Sequence, residues 1–230
     1  MNNQSKKIGI LDGMGAFAGA RFFQQVLEKI SLNQLEFPEI ILDAVALEDF
    51  VSDSSKISPA LVTLSQRVKN FNHQDVSLTV MACNTAHILH PHLSALSSSH
   101  FPSLIDLVSA QVAASGITRV GILASPLTIK TKLYENSLTA LNLTPHLPSV
   151  RFQRLLEDII RQVLTNSVNR GTVSRFQAET SKFIASHQLE GIILGCTELP
   201  LVFPTAEFSH ILIFDSLDIL SDAVIDHLIN

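Results

Sequence analysis

The 230-residue sequence contains only two cysteines, Cys83 and Cys196, and each one follows a short apolar run. A thiol can donate a proton, and its thiolate can accept one, so a cysteine can serve as a general acid or as a general base. Inverting a carbon that carries hydrogen requires removal of a proton from one face and delivery to the other. Two thiols on opposite sides of a substrate would perform this two-base proton transfer.

Other uses of two cysteines fit this sequence less well. The pair is separated by 113 positions and lacks the C-x-x-C or Cys/His cluster typical of zinc sites. A structural disulfide is not expected in a cytoplasmic protein, because that compartment keeps thiols reduced. The alternative for either cysteine alone is packing, since free cysteine is among the most buried residue types.

The composition indicates a cytoplasmic globular protein. Hydrophobic residues make up 46%, charged residues 16%, and the formal net charge is −5, which gives no electrostatic reason to expect a nucleic-acid partner. Apolar stretches are far shorter than the roughly 20 residues of a membrane span. The apolar run 8–11 is too short for the core of a signal peptide. We therefore expect neither a nucleic-acid nor a membrane partner.

Short apolar runs alternate with segments of helical periodicity, which predicts an α/β fold with mainly parallel sheets flanked by helices. The runs rich in Ile, Val and Leu predict strands at 7–12, 40–46, 77–82, 118–124, 190–195 and 210–214, with 102–106 and 148–152 as weaker candidates. Helices are predicted at 17–30, 57–72, 85–97, 107–115, 127–140, 153–167, 173–187 and 216–229.

Two short motifs recur at nearly the same spacing. IGIL at 8–11 returns as VGIL at 120–123, an offset of 112, and VMAC at 80–83 returns as ILGC at 193–196, an offset of 113. The matching offsets predict a duplicated α/β unit, with each cysteine just beyond the carboxyl end of a strand, where ligands bind in α/β sheets. The predicted domains are 1–105 plus 210–230, and 106–209.

Both cysteines precede predicted helices. Unpaired backbone N–H groups and the helix dipole at such a start lower the pKa of a thiol from its usual value of about 8.5. The same N–H groups and the neighbouring polar side chains are candidates to hold a substrate carboxylate. Beside the thiols of Cys83 and Cys196, the side chains that could hold this carboxylate are Asn84, Thr85 and Thr197. Glu198 is either a first-turn acid that complements the helix dipole or a site residue.

Four segments, in order, resemble the cofactor-independent aspartate/glutamate racemase superfamily: IGILDGMG, MACNTAH, VGILASPLTIKTKLY and GIILGCTELP. The aspartate racemase branch is the more similar, because the glutamate branch usually has histidine where this chain has Glu198. The resemblance implies two pseudo-symmetric domains with the active site in the cleft between them, and Cys83 and Cys196 as the catalytic dyad. It also implies an amino-acid substrate, no cofactor and a homodimer.

The turn after the first predicted strand departs from the aspartate branch, which usually has a Gly-Gly-Met-x-Pro type sequence. This chain has Asp12, Gly13 and Met14 there. An aspartate at this place is typical of glutamate racemases, in which it lies beside the first cysteine and the substrate amine. The resemblance therefore implies that Asp12 tunes Cys83 or binds the substrate ammonium group, with helix capping or ordering of the glycine turn as its structural alternatives. Gly13 and Met14 beside it are predicted substrate-binding residues, and a turn conformation is the alternative role of Gly13. The glycines do not form a dinucleotide-binding G-x-G-x-x-G motif.

A second departure follows the second predicted strand. Aspartate racemases commonly have an arginine here that grips the side-chain carboxylate, whereas residues 46–50 read ALEDF. Two acids would repel a dicarboxylate if they faced it. Lys56, Arg161 and Arg170 are the candidates to supply the missing cation.

Two further groups of polar residues have both structural and functional interpretations. Ser125 before Pro126 is typical of a helix N-cap, and the resemblance implies that a hydroxyl here, such as that of Ser125 or Thr128, holds the α-carboxylate. The spacing of the histidines at 87, 90 and 92 does not place them on one helix face, so no metal site is expected. His87, within CNTAH, is a candidate to orient a nearby group.

Two rival functions remain open. One is another isomerase of the same superfamily, such as a maleate isomerase or a hydantoin racemase; an arylmalonate decarboxylase needs only one cysteine. The other is a catalytically silent amino-acid-binding protein. Exchange of the substrate α-proton with solvent distinguishes a racemase from a protein that only binds.

Overall fold

The computed structural model describes residues 6–12, 16–48, 50 and 54–230. The chain divides into two compact units: unit 1 comprises the residues up to Leu104 together with Leu217–Asn230, and unit 2 comprises Ile105–Ser216. Among the described residues, no helix has the length and apolar character needed to cross a membrane.

Each unit contains one parallel sheet. In chain order the strands are β1 Lys7–Asp12, β2 Glu39–Ala44, β3 Leu78–Met81, β4 Arg119–Ala124, β5 Thr144–His146, β6 Gly191–Gly195 and β7 Leu212–Asp215. The strand order is β2-β1-β3 in unit 1 and β5-β4-β6-β7 in unit 2. Strands β3 and β6 are buried along their whole length, as expected for strands covered on both faces.

The helices flank these sheets. They are α1 Ala16–Leu32, α2 Ile57–His73, α3 His90–Leu96, α4 Leu104–Ala114, α5 Pro126–Lys130, α6 Leu133–Ala140, α7 Val150–Leu164, α8 Arg170–His187 and α9 Ser216–Ile229, with short 3-10 turns such as Thr85–Ile88. In unit 2, the rings of Phe152, Phe176 and Phe183 pack between the helices and the sheet. The predicted α/β fold with two parallel sheets is confirmed.

The two sheets share one hydrogen-bonding register. Ile8 pairs with Leu78 in unit 1, and Val120 pairs with Gly191 in unit 2. The partners differ by offsets of 112 and 113, the spacing that the sequence motifs show. The resemblance extends to packing, because a Cβ on Gly9 would lie 2.6 Å from the ring of Phe71 and a Cβ on Gly121 would lie 2.7 Å from the ring of Phe183.

The internal repeat also includes the segment that lies beside β3 in unit 1 and beside β6 in unit 2. A single parallel bridge joins Leu78 to His100 in unit 1, and the equivalent pair in unit 2, Gly191 and Leu212, begins a full strand. The next helices, α4 and α9, begin at Leu104 and Ser216, again 112 residues apart. The chain therefore passes between the units at the first residue of each helix.

The structure differs from the sequence prediction in several elements. The weak strand candidates 102–106 and 148–152 are instead the starts of α4 and α7. The short strand β5 was not predicted, because its sequence, TPH, has no apolar run. The predicted helix 127–140 is interrupted at Lys132, which has a left-handed φ of 55°. The predicted helix 85–97 is a 3-10 turn followed by α3, and the helix start predicted at Cys196 leads only to the 3-10 turn Leu199–Leu201.

The boundary near residue 210 also differs from the predicted one. The sequence placed 210–230 with the first domain, but β7 forms a parallel ladder with β6 and belongs to unit 2. The chain returns to unit 1 only after Ser216. The earlier boundary, at 105, differs from the observed one by a single residue.

Candidate functional site

Cys83 lies two residues beyond β3 and is buried, with 7% of its surface exposed. Its backbone N–H donates to the carbonyl of Met81 at 2.9 Å, and its carbonyl oxygen lies 2.7 Å from Nδ1 of His87. The adjacent Ala82 N–H donates to Leu11 in β1 at 3.0 Å. The backbone that carries this thiol is therefore held on both sides.

His87 has one definite tautomer in this arrangement. Its Nε2 lies 3.0 Å from the backbone N–H of Leu104, which can only donate, so Nε2 accepts and Nδ1–H donates to Cys83. The pKa of His87 is lowered to about 3, chiefly by burial; the hydrogen bond to the Cys83 carbonyl opposes this shift, and the nearby His90 adds a smaller lowering. The imidazole is neutral near pH 7 and is not a proton carrier there.

Cys196 follows β6 directly and is also buried, with 6% of its surface exposed. Its Sγ donates a hydrogen bond to Oε2 of Glu198 at 3.0 Å, and Oγ1 of Thr197 donates to the same oxygen at 3.1 Å. Thr197 and Glu198 are themselves buried. The carboxylate is thus placed to accept the proton of this thiol.

Tyr134 packs beside the second cysteine segment and was not among the predicted site residues. A Cβ on Gly195 would lie 2.8 Å from the Tyr134 ring, so this close approach requires glycine before Cys196. Burial raises the pKa of Tyr134 well above its usual range, with smaller contributions from Cys196 and Asp215. The phenol stays protonated. The signal in the sequence was the single tyrosine of the chain, in VGILASPLTIKTKLY.

Asp12 ends β1, beside the strand that leads to Cys83. It is buried, and its carboxylate lies against α1 at Gly19, where a Cβ would be only 1.8 Å from Oδ2. Glycine at position 19 therefore makes room for this carboxylate. The predicted site residues Gly13 and Met14 lie outside the described residues.

The remaining predicted polar residues are all buried, either next to a strand end or in the first turn of the helix that follows. Asn84 and Thr85 follow Cys83 in unit 1, where Asp12 also lies. In unit 2, Ser125 caps α5, since its Oγ accepts from the Thr128 N–H at 3.3 Å and lies 3.0 Å from Thr128 Oγ1. Ala124 and Gly195 pair across the sheet, so Ser125 and Cys196 extend from adjacent strand ends.

The three residues predicted to bind the side-chain carboxylate of a substrate either pair with acids of the chain or are exposed on a helix. Lys56 forms an ion pair with Glu48, one of the acids in the stretch that lacks the expected arginine. Arg161 pairs with Glu157 at 3.1 Å on the exposed side of α7. Arg170 is an exposed first residue of α8. Asp49 lies outside the described residues.

Metal binding finds no support in the part of the chain that the structure describes. No group of three or more His, Cys, Asp or Glu side chains there is arranged to hold an ion. The stacked pair His87 and His90 instead makes hydrogen bonds to backbone groups.

The two α/β units share one register, and each presents a buried cysteine at the equivalent strand end. The family model for Asp/Glu/Hydantoin racemase matches residues 11–224. The chain belongs to this family, and the resemblance found in the sequence motifs is confirmed.

Curated relatives and solved structures agree with this family. Glutamate racemase from Prochlorococcus marinus (strain NATL2A) is 22% identical over 200 residues, 86% of this chain and 70% of the relative. Glutamate racemase from Synechococcus sp. (strain CC9605) is 29% identical over 131 residues, and the chain spans about half of its length, 47%.

Among solved structures, an aspartate racemase homologue from Pyrococcus horikoshii OT3 has a TM-score of 0.82 and 25% identity, covering 98% of this chain and 100% of that one. Glutamate racemase from Francisella tularensis in complex with D-glutamate has a TM-score of 0.75 and 19% identity, covering 98% and 81%. The second likeness shows the shared fold.

Proposed function

We propose that this protein racemises an amino acid by two-base proton transfer at the α-carbon, with Cys83 and Cys196 as the acid/base pair. The observation that carries the proposal is the equivalence of the two cysteines. They are the only cysteines of the chain, they follow equivalent strands of two sheets with one register, and both are buried. Independent packing of two cysteines gives no reason for this equivalence.

In the proposed reaction, the thiolate of one cysteine removes the α-proton of the bound amino acid. The S–H bond forms as the C–H bond breaks, and the electron pair of that bond is delocalised from the α-carbon into the carboxylate. The other thiol then delivers its proton to the opposite face of the α-carbon and becomes a thiolate. The other enantiomer reacts with the roles of the two cysteines exchanged. Before a second turnover in the same direction, the new thiolate takes up a proton from water and the new thiol gives one up, so no external oxidant, reductant or cofactor is required.

Glu198 would manage the proton of Cys196. Its Oε2 accepts the hydrogen bond of the thiol at 3.0 Å, which places a base that can take up the thiol proton before Cys196 acts as the thiolate that removes the α-proton. Thr197 donates to the same oxygen and orients the carboxylate. We assign Glu198 to acid/base chemistry rather than to a general substrate contact.

Other buried polar groups would bind the substrate ends. Asp12 suits the ammonium group because it is an acid at the strand end next to Cys83. Hydroxyls, amides and backbone N–H groups suit the α-carboxylate and the charge that develops on it. The proposed substrate-binding residues are Asp12, Gly13, Met14, Asn84, Thr85, Ser125, Thr128 and Thr197.

The substrate is proposed as aspartate, glutamate or a related amino acid. Lys56, a candidate to bind the side-chain carboxylate of such a substrate, is already neutralised by its ion pair with Glu48. Neutral amino acids should therefore be tested as well as acidic ones. We further propose that the protein acts without pyridoxal phosphate, as a homodimer in the cytoplasm.

The test is proton exchange in deuterated water. Purified protein without added pyridoxal phosphate is incubated with each enantiomer of aspartate, glutamate and a set of neutral amino acids. Loss of the α-proton signal is followed by NMR, and optical purity by chiral chromatography. Heat-inactivated protein is the control. We expect α-deuterium and racemisation from both enantiomers of one substrate.

Two other results would overturn the proposal. Binding of amino acids without any exchange would identify a silent binding protein. Exchange with hydantoins and with no amino acid would identify a hydantoin racemase, a reaction included in the description of the family.

A further inference from the structure

Two histidines on the segment after Cys83 hold the chain where it leaves unit 1. Nε2 of His90 lies 3.0 Å from the carbonyl of Phe101, and Nε2 of His87 accepts from the N–H of Leu104 at 3.0 Å. The two imidazole rings stack with centroids 5.4 Å apart. Leu104 is the last residue of unit 1 before the chain continues into unit 2.

The same His87 ring also reaches the residue that carries the thiol. Nδ1 of His87 donates to the Cys83 carbonyl at 2.7 Å, so one side chain joins Cys83 to Leu104 across 21 positions of sequence. Only 3% of the surface of His87 is exposed, and burial keeps its pKa at about 3. A neutral, buried ring with both nitrogens hydrogen-bonded is a rigid connection.

In the second repeat a serine hydroxyl, rather than an imidazole, joins the last residue of the unit to the strand that leads to the cysteine. Ser216 stands 112 residues after Leu104 and is the last residue of unit 2 before the chain returns to unit 1. Its Oγ donates to the carbonyl of Leu194 at 2.9 Å, and Leu194 lies two residues before Cys196. A side-chain hydrogen bond therefore joins each crossing point to the strand end that presents a cysteine.

We propose that His87 is a positioning residue for Cys83, fixing the backbone of that cysteine to the point where the chain crosses between the units. This inference rests on the proposed function, because its purpose is to hold the thiol in the geometry for proton transfer. His87 acts through Cys83 and not on the reacting atoms. A displacement of about 1 Å of a reacting group costs up to about 10²-fold in rate.

The test compares His87→Leu, which removes both hydrogen bonds, with His87→Gln, whose amide can donate with one atom and accept with the other. His92→Gln is the matched control, since His92 is an exposed histidine on α3. Three quantities are measured on the full chain: kcat for α-proton exchange, the rates of iodoacetamide alkylation of Cys83 and Cys196 by mass spectrometry, and the tautomer of His87 by nitrogen-15 NMR.

We expect His87→Leu to lower kcat by up to about 10²-fold and to change the alkylation rate of Cys83 while that of Cys196 stays at its wild-type value. Glutamine at position 87 should restore most of the activity, and His92→Gln should behave as wild type. The NMR spectrum of the wild-type protein should show neutral His87 with the proton on Nδ1 from pH 5 to pH 8.

The inference is overturned if an exchanging wild type and His87→Leu have equal kcat, or if alkylation of both cysteines changes to the same extent, which is general destabilisation. A proton on Nε2, or a charged ring near pH 6, also overturns it. If the wild type exchanges no substrate, the proposed racemisation fails, and the alkylation and NMR results still decide the role of His87. The NMR measurement does not depend on whether His87→Leu folds.

Discussion

The two cysteine segments share a backbone frame and differ in the side chains that attend each thiol. Equivalent ladders hold the strands before Cys83 and Cys196. In unit 1, an imidazole binds the backbone of the cysteine, whereas in unit 2 a carboxylate binds the thiol itself. Duplication thus sets where the two cysteines lie, and local sequence sets which side chain is hydrogen-bonded to each cysteine.

A second difference is that, among the described residues, the sheet of unit 2 has a fourth strand, whereas the sheet of unit 1 has three. Unit 2 has the strand β7 beside β6, whereas unit 1 has a single bridge at His100. In unit 1 the segment from Phe101 to Leu104 is held by the two histidines. Side-chain hydrogen bonds thus take the place that a ladder occupies in the other repeat.

Apart from replacement of the cysteines themselves, the largest effect is expected from Glu198, which lies beside only one of the two thiols. Replacing Glu198 with Gln removes the base beside Cys196, and we expect the exchange rate to fall by about 10²- to 10³-fold. The equilibrium constant between enantiomers is one, so kcat/KM falls equally in both directions. The isotope effect of α-deuterated substrate should rise only for the enantiomer whose proton Cys196 removes. Glu207→Gln, an exposed acid of the same unit, is the control.

Wild-type rates in Glu198→Gln would contradict the assignment of this carboxylate to acid/base chemistry. Equal isotope effects for the two enantiomers would contradict the asymmetry between the two cysteine segments.

The next effect tests whether the two repeats are packed alike. Alanine at Gly9 or Gly121 would press a methyl group onto Phe71 or Phe183, and overpacking of this kind costs about 1–3 kcal/mol of unfolding free energy. We expect similar losses for the two variants in urea titrations. Gly171→Ala, whose Cβ has its nearest neighbour at 3.4 Å, should not be destabilising. A large loss at one glycine and none at the other would break the equivalence.

Acid sensitivity should distinguish the units through His87. Its pKa in the folded protein is about 3 against a usual 6.5, so below pH 6.5 the unfolded chain takes up a proton that the folded protein does not. The contribution of His87 to the free energy of unfolding is therefore fully present above pH 6.5. It falls as the pH is lowered toward 3, by up to about 1.4 kcal/mol per pH unit.

Urea titrations at pH 7 and pH 5 measure this contribution. We expect a smaller loss of stability on acidification in His87→Gln than in the wild type, because glutamine does not titrate. Pro200 occupies the equivalent place in the second repeat, so that position of unit 2 has no titratable side chain. Identical losses in the two proteins would contradict the buried, neutral state of His87.

The smallest effect is expected at Ser216, the last residue of unit 2 before the chain returns to unit 1. Ser216→Ala removes one buried hydrogen bond to Leu194, which is worth about 1 kcal/mol of unfolding free energy. We expect a correspondingly small fall in activity compared with His87→Leu. Ser181→Ala, on the exposed side of α8, is the control for loss of a serine hydroxyl. A loss of activity as large as that of His87→Leu would show that the hydrogen bonds of Ser216 and His87 matter equally for catalysis.

Much of this arrangement could be predicted from local sequence. Buried parallel strands are apolar on both faces, so the runs at β1, β3, β4 and β6 were visible, and the offset between them predicted the equivalent cysteines. The edge strand β5 was not visible, because Thr144, Pro145 and His146 form no apolar run. The apolar residues near 150 were mistaken for a strand although Ser149 caps a helix there.

Contacts between distant residues could not be predicted in the same way. Nothing in the local pattern places the N–H of Leu104 on His87 or the ring of Tyr134 on Gly195. These contacts depend on how strands and helices far apart in sequence come together. The pairing of Cys196 with Glu198 spans two residues, yet its geometry depends on the turn after β6.

The most direct test of the central claim is the rate of racemisation by Cys83→Ser and Cys196→Ser in deuterated water, followed by chiral chromatography. It is measured from each enantiomer of a substrate that the wild type racemises, with folding checked by circular dichroism. Serine is a far weaker acid than cysteine, so we expect each single variant to lose racemisation by about 10³-fold or more. Racemisation at the wild-type rate by either variant would contradict the two-thiol account.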